Sequence, residues 1–598
     1  MKRNLLQRVL EGINVKVFFA FIFLYQIIFI FQGLDFADEG YYATFYQQIF
    51  IDPQSVMHNF MYWLTGIVGG TFVYLFPQSG LLGIRILGVM VTTATIILAY
   101  NLLKKYVNIY HLRLGLLLVT ILISNDPKEL NYDNLSMLLF VTSIVFLFNG
   151  LQENKLYKLF ISGAFIGLNC FTRVTNVLGV SLILGIIYYG FINRPAIKLL
   201  LKQILFFLGG FLLMVFAILL FIKLINHYDS FINSVGIVLH MGTDEGSEHN
   251  IKSLLFSFLK KYYLSFCYFS ILSVISIIAA WLCNMFQSKT KYNLKFLVTV
   301  LPYCFFLLVI FLTVIGKIRW VSLLFFFMGL SLTAAFLIIV NHNNKHVKLL
   351  AFIGILILFF YPAGSDEFVE MFSLWIIFPI AVDYFFSIKS IDNQMSISRL
   401  DNAKSITLNI SELQVNSIKK LFIYSCIFTG LYYTYYYPYF DISNRINMHY
   451  SVENKYLKGI YTTKERSVAV NELLKESTKY LKKNDYTLAY DCIPMFHFLT
   501  ETRPFIYNPW PAAYLSDAFR NKLYESLKER KKLPVVIMQK LNTLNSKWPL
   551  NTYEIYAENK ENLTRNICMN DFLKHYQYRK VWENVAFEIL LPGESSIP

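Results

Sequence analysis

Residues 17–42 read VFFAFIFLYQIIFIFQGLDFADEGYY, and this stretch decides the fold class. From Val17 to Gln32 there is no charged side chain, and with Gly33 the run reaches the short end of the length range for a spanning helix. A basic segment containing Lys2, Arg3, Arg8 and Lys16 precedes it. Three carboxylates, Asp35, Asp38 and Glu39, follow immediately. The apolar run is too continuous for the core of a secretory signal, and no small-residue cleavage site comes after it. It reads as a first spanning helix with its N-terminus inside.

Working outward, the same pattern recurs. Asn176–Asn193, Phe296–Gly316 and Trp320–Val340 contain no Asp, Glu, Lys or Arg. The chain is 56% hydrophobic, 17% aromatic and only 15% charged, where a soluble protein carries roughly a quarter charged residues. Mean hydropathy is +0.47. About thirteen transmembrane helices are predicted, near 17–33, 81–103, 114–124, 134–150, 159–172, 176–193, 203–225, 262–285, 296–316, 320–340, 349–362, 370–388 and 421–438. Phe60–Phe76 is also apolar, but a crossing there would put Lys104 and Lys105 outside, so it is expected to lie along the outer interface.

The net charge of +16 looks at first like a nucleic-acid signature. Its distribution says otherwise. Seven segments on the N-terminal side of the membrane hold 22 Lys/Arg, whereas the opposite loops up to Trp320 hold seven: Lys128, Arg173, Lys252, Lys260, Lys261, Lys317 and Arg319. That asymmetry is the positive-inside rule. It makes the N-terminus cytoplasmic, places everything after about residue 440 outside, and leaves no reason to invoke a nucleic-acid partner.

Four regions follow: a membrane core at 1–388, a polar cytoplasmic linker at 389–420, a last helix at 421–438, and an extracytoplasmic domain at 440–598. The domain reads as a small α/β unit. Thr487–Asp491 and Leu533–Met538 look like buried strands, Asp517–Lys531 like a helix between them, and Tyr578–Trp582 with Val585–Leu591 like a terminal pair of strands. No glycine-rich phosphate loop is present. Of seven cysteines only Cys492 and Cys568 lie in the domain, where a disulfide is open to them but not required. No Cys/His spacing points to a metal.

Residues able to do chemistry gather at predicted outer helix ends. Asp35, Asp38 and Glu39 suit a general base near the bilayer surface, although acidic residues there are often simply solvated. Asp133 opens the helix 134–150, where an ordinary cap is the competing role. Arg173, in Gly167-Leu168-Asn169-Cys170-Phe171-Thr172-Arg173, defies the charge rule, as do Lys317 and Arg319 between two apolar helices. A guanidinium matches phosphate oxygens in bidentate fashion; snorkelling to lipid headgroups is the plainer alternative.

These elements come in an order that resembles the GT-C superfamily of integral-membrane glycosyltransferases, which includes protein O-mannosyltransferases and lipid A aminoarabinose transferases. Asp38-Glu39 follows the first helix, and His58-Asn59-Phe60-Met61-Tyr62-Trp63-Leu64 is similar to that superfamily's interfacial helix, with His58-Asn59 where prolines are common. Gly83-Ile84-Arg85 opens the second span, Asp133 a later one, and Gly167-Leu168 to Thr172-Arg173 resembles the superfamily's Gly-Leu…Thr-Lys/Arg element. The resemblance implies a polyprenyl-phosphate sugar donor and a glycan, lipid or protein acceptor at the outer face of a bacterial-type inner membrane. It implies Asp38 as base, with Glu39 and Asp133 assisting or holding a divalent Mg or Mn, which the sequence does not require. Arg173, Arg85, Lys317 and Arg319 would face the donor phosphate, and Tyr41, Tyr42 and His58 would support the site. A transporter or flippase of lipid-linked saccharides is the competing reading, but internal repeats and midplane charges typical of transporters are not seen.

Overall fold

In the computed structural model, described residues are 5–125, 127–243, 250–289, 294–365, 368–397, 404–439, 441, 444–544, 548 and 560–593. The apolar stretches predicted to span are largely helical, but the first helix ends at Ile27 and 28–31 form a turn. Among the described residues, six helices are by themselves long and apolar enough to cross a membrane: Gly80–Leu103, Tyr132–Glu153, Val174–Asn193, Ile197–Leu224, Trp320–Asn341 and Val369–Ser387. A seventh arises if Leu6–Gly12 and Val15–Ile27, bent by 115°, count as one span. The remaining predicted crossings are helices too short to qualify, such as Ile109–Ile123 and Leu156–Asn169, or longer and more polar ones.

The helices pack as membrane helices do, through small residues. A Cβ built on Gly163 would stand 1.8 Å from the carbonyl oxygen of Phe207, and one on Gly210 would stand 1.9 Å from that of Phe160. Helices Leu156–Asn169 and Ile197–Leu224 therefore cross with their backbones in contact, the close approach that only glycine permits.

Several boundaries differ from the sequence reading. Between the spans predicted at 203–225 and 262–285 lie helix Tyr228–Thr243 and the start of helix Ile251–Lys289, 39 residues long. The helix begins eleven residues before the predicted span because Lys261 has a buried acidic partner, described below, and so need not end it. The linker at 389–420 holds two antiparallel strands, Ile391–Ile397 and Lys404–Ile410. The last helix starts at Glu412, where Ser411 and Gln414 form a capping box. Phe60–Phe76 becomes a 3₁₀ stretch, Pro53–Tyr62, and a helix, Trp63–Leu75; thirteen residues rise only about 20 Å, too little to span the core.

The C-terminal domain is the expected α/β unit, with five strands in the order Arg503–Pro504, Tyr486–Tyr490, Val535–Gln539, Phe587–Leu591, Arg579–Glu583. The last pair is antiparallel, and the first three strands run parallel. Helices Ser516–Arg530 and Lys560–His575 cover one side. Cys492 and Cys568 are both buried and unbonded to each other.

The domain is fastened to the first loop of the membrane core. Asp441 accepts from the Leu34 amide at 3.1 Å and from the Thr462 hydroxyl at 2.7 Å. Arg466, wholly buried, lies 3.7 Å from Asp441, donates to the Leu34 carbonyl at 2.6 Å and sits over Trp548. Helix Asp38–Gln48 docks on Met495–Thr500 at Gly40, where a Cβ would lie 2.1 Å from the Met495 nitrogen.

Candidate active site

The three carboxylates of the first loop have three different positions. Asp35 turns back on its own chain, accepting from the amides of Ala37 at 2.8 Å and Glu39 at 3.0 Å. Burial, and after it the charge of Glu39, pushes the Asp35 carboxyl up to about 7. Glu39 forms a bidentate pair with Arg85, both bonds 2.6 Å. The same guanidinium donates to the carbonyls of Ile30 at 2.6 Å and Gly33 at 2.8 Å. Arg85 is thereby committed to bracing the loop rather than facing a phosphate. Asp38 is the half-buried carboxylate of the three and accepts from the Tyr439 hydroxyl at 2.5 Å.

Helical spacing puts Tyr41 and Tyr42 on the same face as Asp38, three and four residues on. The Tyr41 hydroxyl is 3.4 Å from His58 Nδ1. Tyr42 lies 6.5 Å from Tyr62 and 6.3 Å from Tyr132 between ring centres, and Tyr62 and Tyr132 stack at 4.5 Å and 8°. Beyond them the Arg173 guanidinium lies 5.3 Å from the Tyr132 ring and 5.9 Å from that of Tyr361, and it donates to the Tyr361 carbonyl at 3.4 Å. The Tyr361 hydroxyl donates to Asp133. Asp133 does not cap its helix. Asn131 does, in a box with Asn134, which leaves the Asp133 carboxylate to Tyr361. One aromatic wall thus runs from Asp38 to Arg173 and Asp133.

The sequence reading missed three parts of this region. Lys261 pairs with Glu370 at 3.0 Å, both buried, and its ammonium lies 5.6 Å from the Phe368 ring. Arg173 is among the charges that act on Glu370. The only sequence signal was that Lys261 breaks the charge rule. Glu129 is fully buried, its carboxyl oxygens have no side-chain hydrogen-bond partner among the described residues, and burial pushes its pKa well up, with the charges of Glu39, Asp38 and Asp35 adding to the rise. Residues 507–514 of the domain roof the site: the Tyr507 carbonyl accepts from the His58 amide at 3.0 Å, Trp510 packs on Tyr41 and Tyr514 on His58.

Lys317 and Arg319 belong elsewhere. Both are exposed, in the turn before helix Trp320–Asn341, and Arg319 Nε donates to the Gly316 carbonyl at 3.3 Å. Among the described residues no three acidic, His or Cys side chains gather as a metal-ligand set. Of the residues expected to hold Mg or Mn, Glu39 is paired with Arg85 and Asp133 accepts from Tyr361.

No family model and no curated protein sequence matches the chain. Among solved structures, it is similar to ArnT from Cupriavidus metallidurans bound to undecaprenyl phosphate, with a TM-score of 0.50 and 10% identity over 98% of this chain and 99% of that one. The chain shares its overall fold with that protein. Correspondence over almost the full length of both covers the C-terminal domain as well as the membrane helices. At this identity the likeness concerns architecture, and the chemistry must come from the residues of this chain.

Proposed function

We propose that the protein is a glycosyltransferase that moves a sugar from a polyprenyl-phosphate donor to an acceptor at the outer face of the cytoplasmic membrane. The observation that carries this reading is the wall itself: a half-buried carboxylate at one end, Asp38, and a buried guanidinium at the other, Arg173, joined by Tyr41, Tyr42, Tyr62 and Tyr132. The neighbour's bound undecaprenyl phosphate supports a lipid donor of that class. The charge asymmetry of the loops supports the outward orientation.

In this reading Asp38 takes the proton of the acceptor hydroxyl or amine, held in orientation by Tyr439. The acceptor oxygen or nitrogen forms its bond to the anomeric carbon as the bond from that carbon to the phosphate oxygen breaks on the opposite face. One displacement inverts the configuration. Arg173 stabilises the negative charge that collects on the departing phosphate. Tyr62 and Tyr132 give the sugar an apolar surface between the two.

The deciding experiment is transfer of labelled sugar from a panel of polyprenyl-phosphate sugars in membranes, wild type against Asp38→Asn at equal expression. Loss of a general base lowers the rate about 10²–10⁴-fold. Transfer that survives the substitution removes Asp38 from the role of base. Movement of lipid-linked sugar across vesicles with no transfer by the wild type overturns the reading in favour of a flippase.

A further inference from the structure

Away from the site, four helices line an apolar slot that is open along one side. It lies between Ile251–Lys289, Leu294–Val314, Trp320–Asn341 and Glu412–Tyr436, has a volume of about 410 Å³, and is lined by such residues as Ile271, Phe305, Phe326, Ile418 and Phe422. Along the last helix the lining runs from Gln414 to Thr429, about 22 Å of helix, most of the thickness of a hydrocarbon core. Exposed apolar walls such as Ile271, Leu272 and Ile275 gain dispersion contacts only from an apolar neighbour. In a bilayer the available filler is a lipid chain.

One end of the slot names the headgroup. Ile318 lines it, and Ile318 is flanked by Lys317 and Arg319, both exposed and neither with an acidic partner among the described residues. An ammonium and a guanidinium two residues apart in one turn at a membrane surface match a phosphate. The donor site is separate. None of Asp38, Asp133, Arg173 and Lys261 lines the slot, and the edge-to-face pair of Trp320 and Phe368, 5.7 Å apart, stands between Arg319 and Lys261.

We propose that this slot binds a chain of an anionic phospholipid of the surrounding leaflet, with its phosphate on Lys317 and Arg319, as a site distinct from that of the donor. The position has a consequence for the chemistry. Helix Glu412–Tyr436 forms one wall of the slot over most of its length, and three residues beyond it Tyr439 donates to Asp38. A chain in the slot fixes the helix, and the helix fixes the hydroxyl that orients Asp38. Lys317 and Arg319, unused by the reaction, acquire a role as a lipid sensor.

The test uses the full chain in nanodiscs of equal parts phosphatidylcholine and phosphatidylglycerol, released into detergent and weighed by native mass spectrometry. Wild type is expected to retain one phosphatidylglycerol in preference to phosphatidylcholine. The double substitution Lys317→Ala/Arg319→Ala lowers that retention about tenfold or more, and Ser425→Trp, which fills the slot, removes it. Arg173→Ala leaves it intact. Equal retention of the two lipids by wild type, or unchanged retention in the double variant, overturns the proposal. Loss of the lipid in Arg173→Ala, or its displacement by added polyprenyl phosphate, overturns it too, by assigning the slot to the donor. Should Ser425→Trp fail to fold, the exposed double variant decides alone. Because retention is read without any transfer reaction, failure here leaves the glycosyltransferase reading untouched.

Discussion

Asp35, Asp38 and Glu39 carry the same functional group within five residues, and the structure gives each a different task because their partners arrive from different distances. Glu39 meets Arg85, and Asp38 meets Tyr439. The acidic loop was legible in the sequence; which acid stays available was not, since that depends on a tyrosine 401 residues away. The Tyr439 hydroxyl can be tested directly. Tyr439→Phe is expected to lower kcat about tenfold with little change in KM, as loss of an orienting hydrogen bond of about 1–1.5 kcal/mol would. An unchanged kcat removes Tyr439 from the mechanism. Glu129 gives a second prediction. Its pKa is raised by burial, so the folded state keeps a proton that the unfolded chain releases. The stability this contributes is present at acid pH and is lost as pH rises above the unfolded value, about 4.3, toward the raised folded one. Asp35, raised to about 7, adds a slope of the same sign. Thermal unfolding between about pH 5 and pH 8 should therefore show a shallower decline in Glu129→Gln than in wild type; identical slopes would mean that the carboxyl is ionised in the fold.

Between helices, glycine sets the geometry. Gly163 and Gly210 place a backbone of one helix against a backbone of the other, and a Cβ at either would overlap a carbonyl oxygen. Gly163→Leu should destabilise the protein by about 1–3 kcal/mol or more, read as a fall in the unfolding temperature in detergent. An unaltered midpoint would show that the pair can separate at no cost. At this scale the sequence was readable where apolar runs are uninterrupted and unreadable where a charge is neutralised inside. Helix Ile251–Lys289 contains Lys260 and Lys261, which a pattern of uncharged runs must treat as an end. The buried partner of Lys261, Glu370, belongs to a distant segment. Strands Ile391–Ile397 and Lys404–Ile410 were likewise hidden, because their polar composition reads as a linker.

Across the whole molecule, the C-terminal domain is part of the site's construction. Asp441, Arg466 and Leu34 join it to the first loop, and residues 507–514 cover His58 and Tyr41. Arg466→Leu leaves Asp441 buried beside an apolar group, and breaking a buried pair in this way costs about 3–5 kcal/mol. Hydrogen exchange should then accelerate through residues 33–62, and transfer should fall with it. Exchange confined to the domain would show that the loop is ordered by the membrane helices alone. The architecture of the domain could be anticipated from its alternation of buried strands and helices. Its role as a roof could not, because nothing in Tyr507–Tyr514 announces a surface that fits Tyr41 and His58.

The fastening of first loop to last domain also fixes an order of events during synthesis. The bonds from Leu34 to Asp441 and from Arg466 to Leu34 span 407 and 432 residues. At roughly 5–20 residues per second, the loop emerges some 20–80 s before the segments that complete it. The Glu39–Arg85 pair, 46 residues apart, can close almost at once and hold the loop in shape meanwhile. The nascent protein thus passes through a long interval in which its acidic loop is braced on one side only, and a ribosome that stalls before residue 466 leaves in the membrane a chain with the carboxylates in place and no roof over them.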